Sequence, residues 1–286
     1  EIIDHGAETE EFTDEEYKCD VLVGLNPFQK SDLNKFTNLK LFQATSAGYD
    51  TIPVEELEKK GVIFCNARDV YSNQIAEFAV MRLLEIYKKA PMYYRQQEEH
   101  KWIRDFKLQE ITDKKVGILG TGSIGMQIAK RLKAFDAVTI GFNRSGNSAE
   151  YFDKIYKIDA FEGMTGELDV IIVALPLNSG SEYIINKNIL EKMHSKSVLI
   201  NIGRGMSVDT EALADVLEKG GIMGAALDVF EQEPLPEDSR LWGLENLLIS
   251  PHICSGSNYM NKRVYDLVYD NLKAFGENGK LINRIV

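Results

Sequence analysis

The chain has 286 residues, of which 44% are hydrophobic and 27% are charged, as in a soluble globular protein of about two domains. Its 44 acidic residues outnumber 33 basic ones, for a net charge of −11, and such a surface repels nucleic acid and anionic membranes. No apolar run reaches the roughly 18–20 residues that span a bilayer. The three cysteines and four histidines show no disulfide or metal-ligand spacing, so we expect a cytoplasmic protein with reduced thiols and no metal.

Short apolar runs alternate with helical segments in the first quarter of the chain. Strands are predicted at 21–23, 40–43 and 62–64, with a helix over 53–60. This alternation is typical of β-α-β units and predicts a parallel sheet.

Residues 72–102 have no strand pattern. Apolar residues recur at helical spacing from Ile75 to Tyr87, and Pro91 is expected to interrupt the helix. Two interpretations stay open: a helix that packs in the core, or a connector between domains that also supports a dimer.

A second alternation runs from about 103 to 253. Its predicted strands are 116–119, 138–142, 170–173, 198–201, 224–228 and 247–249, with helices between them. This pattern predicts a doubly wound domain. A last helix, 258–278, could fold back onto the first domain and make that domain discontinuous.

A glycine turn follows the strand at 116–119. Gly120 permits a tight turn, Gly122 lets a pyrophosphate approach the backbone, and Gly125 allows the helix to pack closely on the strand. The helix that starts at Ser123 and Ile124 offers free N–H groups to phosphates. The turn therefore predicts a dinucleotide site.

The next strand ends in Asn143-Arg144-Ser145. NAD-binding domains usually place an acid there, which binds the ribose 2′-hydroxyl. This chain has none, and Arg144 could meet a 2′-phosphate. We therefore predict NADP as the preferred cofactor over NAD; the alternative is a surface arginine that stacks on the adenine.

Three side chains are candidates for chemistry at strand ends. Arg204 lies between two glycines after the strand at 198–201, where a ligand can approach the backbone. His252, taken alone, is as compatible with a structural role, and Glu233, taken alone, with a surface acid. Together they could act, because a glutamate beside a histidine favours the imidazolium form.

In this order, the segments GTGSIG (120–125), NIGRGMSVDTEAL (201–213), DVFEQEPLP (228–236) and SPHI (250–253) resemble the D-isomer-specific 2-hydroxyacid dehydrogenase family. The resemblance extends to 44–50 and 73–77. It implies an α/β fold of two doubly wound parallel-sheet domains, a Rossmann-type nucleotide domain and a flavodoxin-like substrate domain, with a cleft between them. The expected boundaries are 73–256 for the nucleotide domain, and 1–72 with 257–286 for a substrate domain that is expected to lack its family's first strand and helix. By the same resemblance, residues 1–3 look like the family's second strand.

The family's catalytic residues match Arg204, Glu233 and His252. The resemblance implies that Arg204 grips the substrate carboxylate and carbonyl, that His252 exchanges the proton, and that Glu233 bonds His252. Backbone amides at Ala47 and Gly48 would bind the carboxylate. The remaining cofactor contacts that it implies are Leu175, Pro176, Ile202, Gly203 and Asp228.

The implied activity is reversible reduction of a small 2-keto acid to the D-2-hydroxy acid, by a homodimer. We also expect a protein without the C-terminal regulatory domain of the long phosphoglycerate dehydrogenases. An alternative stays open, because the family includes corepressors that sense dinucleotides on the same fold. Tyr49, Tyr71 and Trp102 could line the substrate pocket or belong to the core.

Overall fold

The computed structural model describes residues 2–6 and 10–286. Within them lie ten strands: β1 (Val21–Gly24), β2 (Leu41–Ala44), β3 (Ile63–Cys65), β4 (Lys115–Leu119), β5 (Val138–Asn143), β6 (Lys154–Lys157), β7 (Val170–Val173), β8 (Val198–Asn201), β9 (Gly224–Leu227) and β10 (Leu247–Ile249). The α-helices of the same residues are α1 (Val54–Lys59), α2 (Ser72–Tyr87), α3 (Ala90–Glu98), α4 (Ser123–Lys133), α5 (Phe161–Met164), α6 (Lys187–Lys192), α7 (Thr210–Glu218) and α8 (Met260–Gly276). Every predicted strand from residue 21 onward is confirmed within two residues.

One predicted strand is absent from the described residues, and one observed strand was not predicted. Residues 2–6 form no strand, and Glu1 lies outside the described residues; the side chain of Ile2 is 98% exposed, so no core holds this segment extended. The sequence also gave no sign of β6, which pairs with β5 at the edge of its sheet. Its lysine-flanked sequence suits an edge, where charged residues discourage further pairing.

The predicted long helix is divided in two. Between α2 and α3, Lys89 adopts a left-handed conformation (φ 54°), and Pro91 lies in the first turn of α3. Proline is tolerated there because the first helical N–H groups have no partner within the helix. The interruption is therefore confirmed, two residues before the proline.

The chain divides into two compact units, Glu1–Tyr71 with Ser257–Val286, and Ser72–Gly256. The first unit has a parallel sheet in the order β1-β2-β3, with an aromatic core around Phe36, Phe42 and Phe64. Helix α8 joins this unit through the buried Asn271, whose Nδ2 donates to Gln43 Oε1 at 2.6 Å. Helix α8 therefore belongs to the same compact unit as the first three strands.

The second unit has a parallel sheet in the order β10-β9-β8-β7-β4-β5-β6. Strands β7 and β8 are buried along their whole length, as expected for a sheet covered on both faces. The chain reverses its direction of winding between β4 and β7, and such a point opens a crevice at the carboxyl ends of the strands. The described part of the chain has no helix that is both long and apolar enough to cross a membrane.

Candidate active site

The predicted chemical groups follow three neighbouring strands. Strands β8, β9 and β10 are adjacent and parallel, so their carboxyl ends lie at one edge of the sheet. Arg204 follows β8, Asp228 and Glu233 follow β9, and His252 follows β10. The sheet order therefore gathers residues that are up to 48 positions apart (252 − 204).

His252 and Glu233 form a direct pair. Nδ1 of His252 lies 2.8 Å from Oε2 of Glu233, and both side chains are partly exposed. The other carboxylate oxygen, Oε1, accepts a hydrogen bond of 2.9 Å from the backbone N–H of Phe230. An ionised carboxylate only accepts hydrogen bonds, so the geometry suits a hydrogen on Nδ1 of His252 that is donated to Glu233.

Asp228 anchors the loop that carries His252. Its carboxylate is 1% exposed and accepts hydrogen bonds from Ser250 Oγ at 2.6 Å and from the backbone N–H groups of Ile253 at 3.1 Å and Cys254 at 2.9 Å. The backbone of His252 bonds the Asp228 carbonyl at 2.8 Å and is itself left-handed, at φ 51°. Such a conformation costs roughly 1–3 kcal/mol and needs surrounding bonds to hold it.

The Arg204 loop is held by the last residue of β8. Asn201 donates from Nδ2 to the Arg204 carbonyl at 2.8 Å and accepts at Oδ1 from the Gly203 N–H at 3.1 Å. A Cβ atom on Gly205 would lie 1.9 Å from the carbonyl of Phe230, so only glycine allows this approach. The Arg204 loop thus packs against Phe230, and the backbone N–H of Phe230 donates to the Glu233 carboxylate.

Electrostatics also connects Arg204 to the His252 loop. Burial, followed by the neighbouring Asp228 carboxylate, raises the pKa of the Cys254 thiol, and the positive charge of Arg204 opposes that shift. The guanidinium therefore acts on a residue two positions from His252. Arg204 also donates from Nη1 to the Gly203 carbonyl at 2.8 Å.

The glycine turn joins β4 to α4 at the same edge of the sheet. Gly120 is left-handed (φ 100°), and a Cβ on Gly125 would lie 2.0 Å from the Gly120 carbonyl oxygen. Apart from the chain neighbours of Gly122, no atom of the described residues lies within 4 Å of a Cβ built there, and among the same residues no side chain caps the N-terminus of α4. Space, free N–H groups and the positive end of a helix all suit a pyrophosphate.

The end of β5 is fixed to this turn. Asn143 donates from Nδ2 to Thr121 Oγ1 at 2.8 Å and accepts at Oδ1 from the Gly146 N–H at 2.6 Å and, more weakly, from Ser145 Oγ at 3.4 Å. Arg144 is exposed and forms no ion pair with the described residues. An uncommitted guanidinium thus stands where a dinucleotide domain contacts the adenosine ribose.

The other predicted cofactor contacts lie at the ends of β7 and β8. The N–H of Ile202 donates to the Val173 carbonyl at 3.2 Å, and a Cβ on Gly203 would lie 2.8 Å from the Leu175 carbonyl oxygen. The Pro176 carbonyl accepts from Ser181 Oγ at 2.7 Å. The segments that follow β7 and β8 therefore contact each other directly at the carboxyl ends of these strands.

Ala47 and Gly48 lie in the first unit, on a loop after β2. Asn66 Nδ2 donates to the Ala47 carbonyl at 2.7 Å, and Ser46 Oγ donates to the Gly48 carbonyl at 2.9 Å. The Tyr71 hydroxyl bonds the Thr45 carbonyl. The carbonyls of this loop are thus engaged by side chains.

Of the three aromatic residues considered for the substrate pocket, Tyr71 is half-buried and Tyr49 is more exposed, with its ring edge against Phe64. Trp102 is 89% exposed. The alternative that Trp102 belongs to the core is therefore wrong.

Sequence reasoning missed the residues that hold the site together. Ser250 donates to the Asp228 carboxylate, and Asn201 bonds the Arg204 loop. In addition, Ser72 Oγ lies 2.5 Å from Ser123 Oγ in the glycine turn. Ser72 opens α2, 51 positions before its partner, so no local pattern could reveal the contact. For Asn201, a polar residue at the end of a fully apolar strand was an available signal.

The same region is similar to known proteins. Residues 80–254 match the family described as D-isomer specific 2-hydroxyacid dehydrogenase, NAD binding domain. Hydroxyphenylpyruvate reductase of Plectranthus scutellarioides is 34% identical over 260 residues, which are 89% of this chain and 80% of the relative. A glyoxylate/hydroxypyruvate reductase of Arabidopsis thaliana is also 34% identical, over 89% of this chain and 80% of its own length.

A solved structure of an NADPH-dependent glyoxylate/hydroxypyruvate reductase of Sinorhizobium meliloti, in complex with NADP and malonate, aligns with a TM-score of 0.82 and 30% identity, over 96% of this chain and 86% of that one. The family match spans more than half of the chain, and both reductases are more than 30% identical to it over most of its length. The chain therefore belongs to the D-isomer-specific 2-hydroxyacid dehydrogenase family, oxidoreductases that act on a CH–OH group with NAD or NADP.

Proposed function

We propose that the chain reduces a small 2-keto acid to the D-2-hydroxy acid, reversibly, and prefers NADPH as reductant. The observation that carries this proposal is the 2.8 Å contact between His252 Nδ1 and Glu233 Oε2, next to the Arg204 loop and on the same sheet edge as the glycine turn. A proton donor, a cation and a dinucleotide crevice are what hydride transfer to a ketone requires. The named relatives that reduce glyoxylate or hydroxypyruvate support a short substrate side chain.

In this mechanism each residue has a distinct task. Arg204 holds the substrate carboxylate and polarises the carbonyl oxygen, because a guanidinium presents paired donors in a fixed plane. The bound nicotinamide supplies the hydride. His252 gives the proton at Nε2 to the carbonyl oxygen in reduction and removes it in oxidation. Glu233 keeps Nδ1 protonated and stabilises the imidazolium.

We assign the dinucleotide to the second unit and the substrate carboxylate to the loop at Ala47 and Gly48 in the first. Two features support the latter assignment. The carbonyls of both residues are engaged by Asn66 and Ser46, and the N–H groups of Ala47 and Gly48 make no hydrogen bond within the described residues. Two adjacent free N–H groups suit a carboxylate.

The preference for NADPH rests on Asn143 and Arg144. A neutral side chain that is already bonded to Thr121 does not repel a 2′-phosphate, as an aspartate would. The exposed Arg144 can pair with that phosphate. The Sinorhizobium meliloti relative, which is named NADPH-dependent, is compatible with the same preference.

The direct test follows the oxidation of NADPH and NADH with a panel of 2-keto acids: glyoxylate, hydroxypyruvate, pyruvate and a larger aromatic 2-keto acid. We expect turnover of at least one short acid, faster with NADPH. In His252→Ala, kcat should fall roughly 10²- to 10⁴-fold, while the affinity for NADPH stays within about twofold. Tight NADPH binding without turnover of any acid would instead favour a dinucleotide-sensing, corepressor-like protein.

The assembly we propose is a homodimer. Supporting it, the segment after α3 exposes three large apolar side chains close together in sequence, Trp102 at 89%, Ile103 at 57% and Phe106 at 85%, and exposed apolar clusters mark protein–protein interfaces. Light scattering should give about twice the mass of the 32.3 kDa chain. The double variant Trp102→Glu/Phe106→Glu should lower it to that of a monomer, whereas Tyr183→Glu, elsewhere in the same unit, should not.

We also propose a cytoplasmic location. Cys65 and Cys254 are buried free thiols, and burial raises the pKa of Cys65 to about 11, so both are poorly reactive. A protein of an oxidising compartment more often pairs its cysteines. Fractionation of the native source should place the protein with cytosolic markers.

A further inference from the structure

A solvent-open cavity of about 520 Å³ lies in the first unit, between the start of β3 with the loop that follows this strand and the turn after α8. It is separate from the residues of the proposed reaction. Its walls combine the apolar side chains of Ile63, Phe275 and Leu281 with three basic ones, Arg68, Lys280 and Arg284. This volume is within the range of small-molecule sites, roughly 300–1,000 Å³.

The charge of this cavity is unusual for the chain. The molecule carries −11 overall, yet the residues that line the cavity include three cations and no acid. The nearest counter-charge to Arg68 is Asp69, at 4.0 Å. Lys280 has no ion pair among the described residues. Arg284 donates a hydrogen bond from Nε to the Val286 carbonyl at 2.9 Å.

The negative end of α8 does not cancel these charges. Its last carbonyls accept backbone hydrogen bonds from the following turn: Lys273 from Glu277 at 3.1 Å, and Ala274 from Gly279 at 2.6 Å. Satisfied carbonyls present little free partial charge to the cavity. Three cations around an apolar wall therefore suit an anion that has an apolar part.

The cavity wall is bonded to the loop of Ala47. Asn283 donates from Nδ2 to the Arg68 carbonyl at 2.7 Å, and its own carbonyl accepts from the Asn66 N–H at 3.2 Å. The Asn66 side chain accepts from the Arg68 N–H at 3.3 Å and donates to the Ala47 carbonyl at 2.7 Å. Asn66 is buried, so it links the cavity wall and the loop rigidly.

From these observations we propose that the cavity binds a small organic dianion, a phosphate monoester or a dicarboxylate with an apolar group, and that its occupancy changes the affinity of the Ala47–Gly48 loop for the keto acid. The charged end is held by Arg68, Lys280 and Arg284, and the apolar part lies on Phe275 and Leu281. The signal passes through Asn283 and Asn66. The proposed effect on keto-acid affinity, the regulatory half of this proposal, rests on the proposed function of that loop. The proposed binding of a dianion, the binding half, does not.

Binding is measured first, by calorimetry on the full chain with phenyl phosphate, phthalate, inorganic phosphate and benzyl alcohol as probes. Phenyl phosphate or phthalate should bind at least tenfold more tightly than inorganic phosphate or benzyl alcohol, and the tighter of the two identifies the anionic group. Lys280→Glu/Arg284→Glu should weaken that binding at least tenfold. Lys59→Glu, an exposed charge reversal in the same unit, should not weaken it.

The regulatory half is measured as the KM for the keto acid with and without the tighter probe. We expect a shift of at least threefold in wild type and in Lys59→Glu, lost in Lys280→Glu/Arg284→Glu and in Asn283→Ala. The shift should persist at saturating NADPH, since the probe does not compete for the cofactor. If no keto acid is turned over, the binding experiment alone decides the site.

Equal binding to wild type and to Lys280→Glu/Arg284→Glu would overturn the site, because the probe would then lie elsewhere. Binding that depends on these cations but leaves the KM unchanged would overturn the regulatory link. Probe binding should survive in Arg204→Ala, and its loss there would place the probe in the active site and overturn the proposal.

Discussion

Nδ1 of His252 and Oε2 of Glu233 lie 2.8 Å apart, although the two residues are 19 positions apart in the sequence. The contact joins the loops after β9 and β10, two neighbouring parallel strands. The backbone N–H of Phe230 holds the second oxygen of the same carboxylate. The glutamate is therefore positioned by its own loop and in turn orients the histidine.

Replacement of Glu233 by glutamine should lower kcat for reduction roughly 10- to 100-fold, because the amide can bond Nδ1 but supplies no charge to stabilise the imidazolium. KM for the cofactor should change little. Since Glu233 acts through His252, Glu233→Gln should have almost no further effect in a His252→Ala background. Additive losses in this double-mutant cycle would contradict the assigned role.

Replacement of Arg204 by alanine should lower kcat/KM for the keto acid at least about 100-fold, or about 2.7 kcal/mol. Both kcat and KM should worsen, because the guanidinium binds the substrate and the developing charge. Arg204→Lys should recover only part of this loss, as an ammonium lacks the planar pair of donors. A kcat/KM within about threefold of wild type in Arg204→Ala, roughly 0.7 kcal/mol, would rule out the role.

Loss of the anchor of the His252 loop should affect catalysis without contact with substrate. In Ser250→Ala, one of the three donors to the Asp228 carboxylate is removed, and the left-handed backbone of His252 is held less firmly. We expect kcat to fall roughly 10-fold with little change in the KM for the cofactor. Ser195→Ala, at an exposed position on the same unit, is the matched control, and equal kcat in both variants would contradict the anchor.

The cofactor preference should respond to Asn143. An aspartate there can accept from the ribose 2′-hydroxyl and repels a 2′-phosphate. The ratio of kcat/KM for NADPH to that for NADH should therefore fall at least tenfold in Asn143→Asp. Asn147→Asp adds the same charge at an exposed position of the same loop and should have a smaller effect. A wild-type enzyme that strongly prefers NADH would overturn the prediction.

Stability should depend on pH through His5 and Glu16. A hydrogen bond to Glu16 raises the pKa of His5 above its ordinary 6.5, so this stabilisation is present below 6.5 and is lost as pH rises through the higher folded value. The Thr13 N–H, followed by His5, lowers the pKa of Glu16 from 4.5 to about 2, so that stabilisation is present above 4.5 and is lost toward 2.

The two windows overlap between pH 4.5 and 6.5. The urea midpoint of wild type should consequently fall more between pH 6 and 8.5 than that of His5→Gln. His100→Gln, in which an exposed histidine is replaced, should behave as wild type. Parallel pH profiles for wild type and His5→Gln would show that the pair contributes nothing measurable.

Much of the second unit follows from local pattern. Its strands are continuous apolar runs because both faces of a parallel sheet are buried, and the glycine turn is legible because each glycine meets a separate steric demand. The edge strand β6 and the helix break at Lys89 were harder to predict. An edge strand lacks a continuous apolar run, and no local sequence pattern indicates a lysine in the left-handed conformation. The strand expected at residues 1–3 was wrong where described, because an apolar run needs a core to cover it.

The sequence by itself determined the family and the parallel α/β architecture, and it identified the glycine turn, Arg204, Glu233 and His252 as candidates for the site, because these depend on residue type, spacing and order along the chain. Only the tertiary structure decided which groups hold them: Asn201 at the Arg204 loop, Asp228 and Ser250 beneath His252, and Phe230 between the two. These contacts join residues from different strand ends. The strand order of the folded sheet, which no local pattern contains, is what brings them within hydrogen-bond distance.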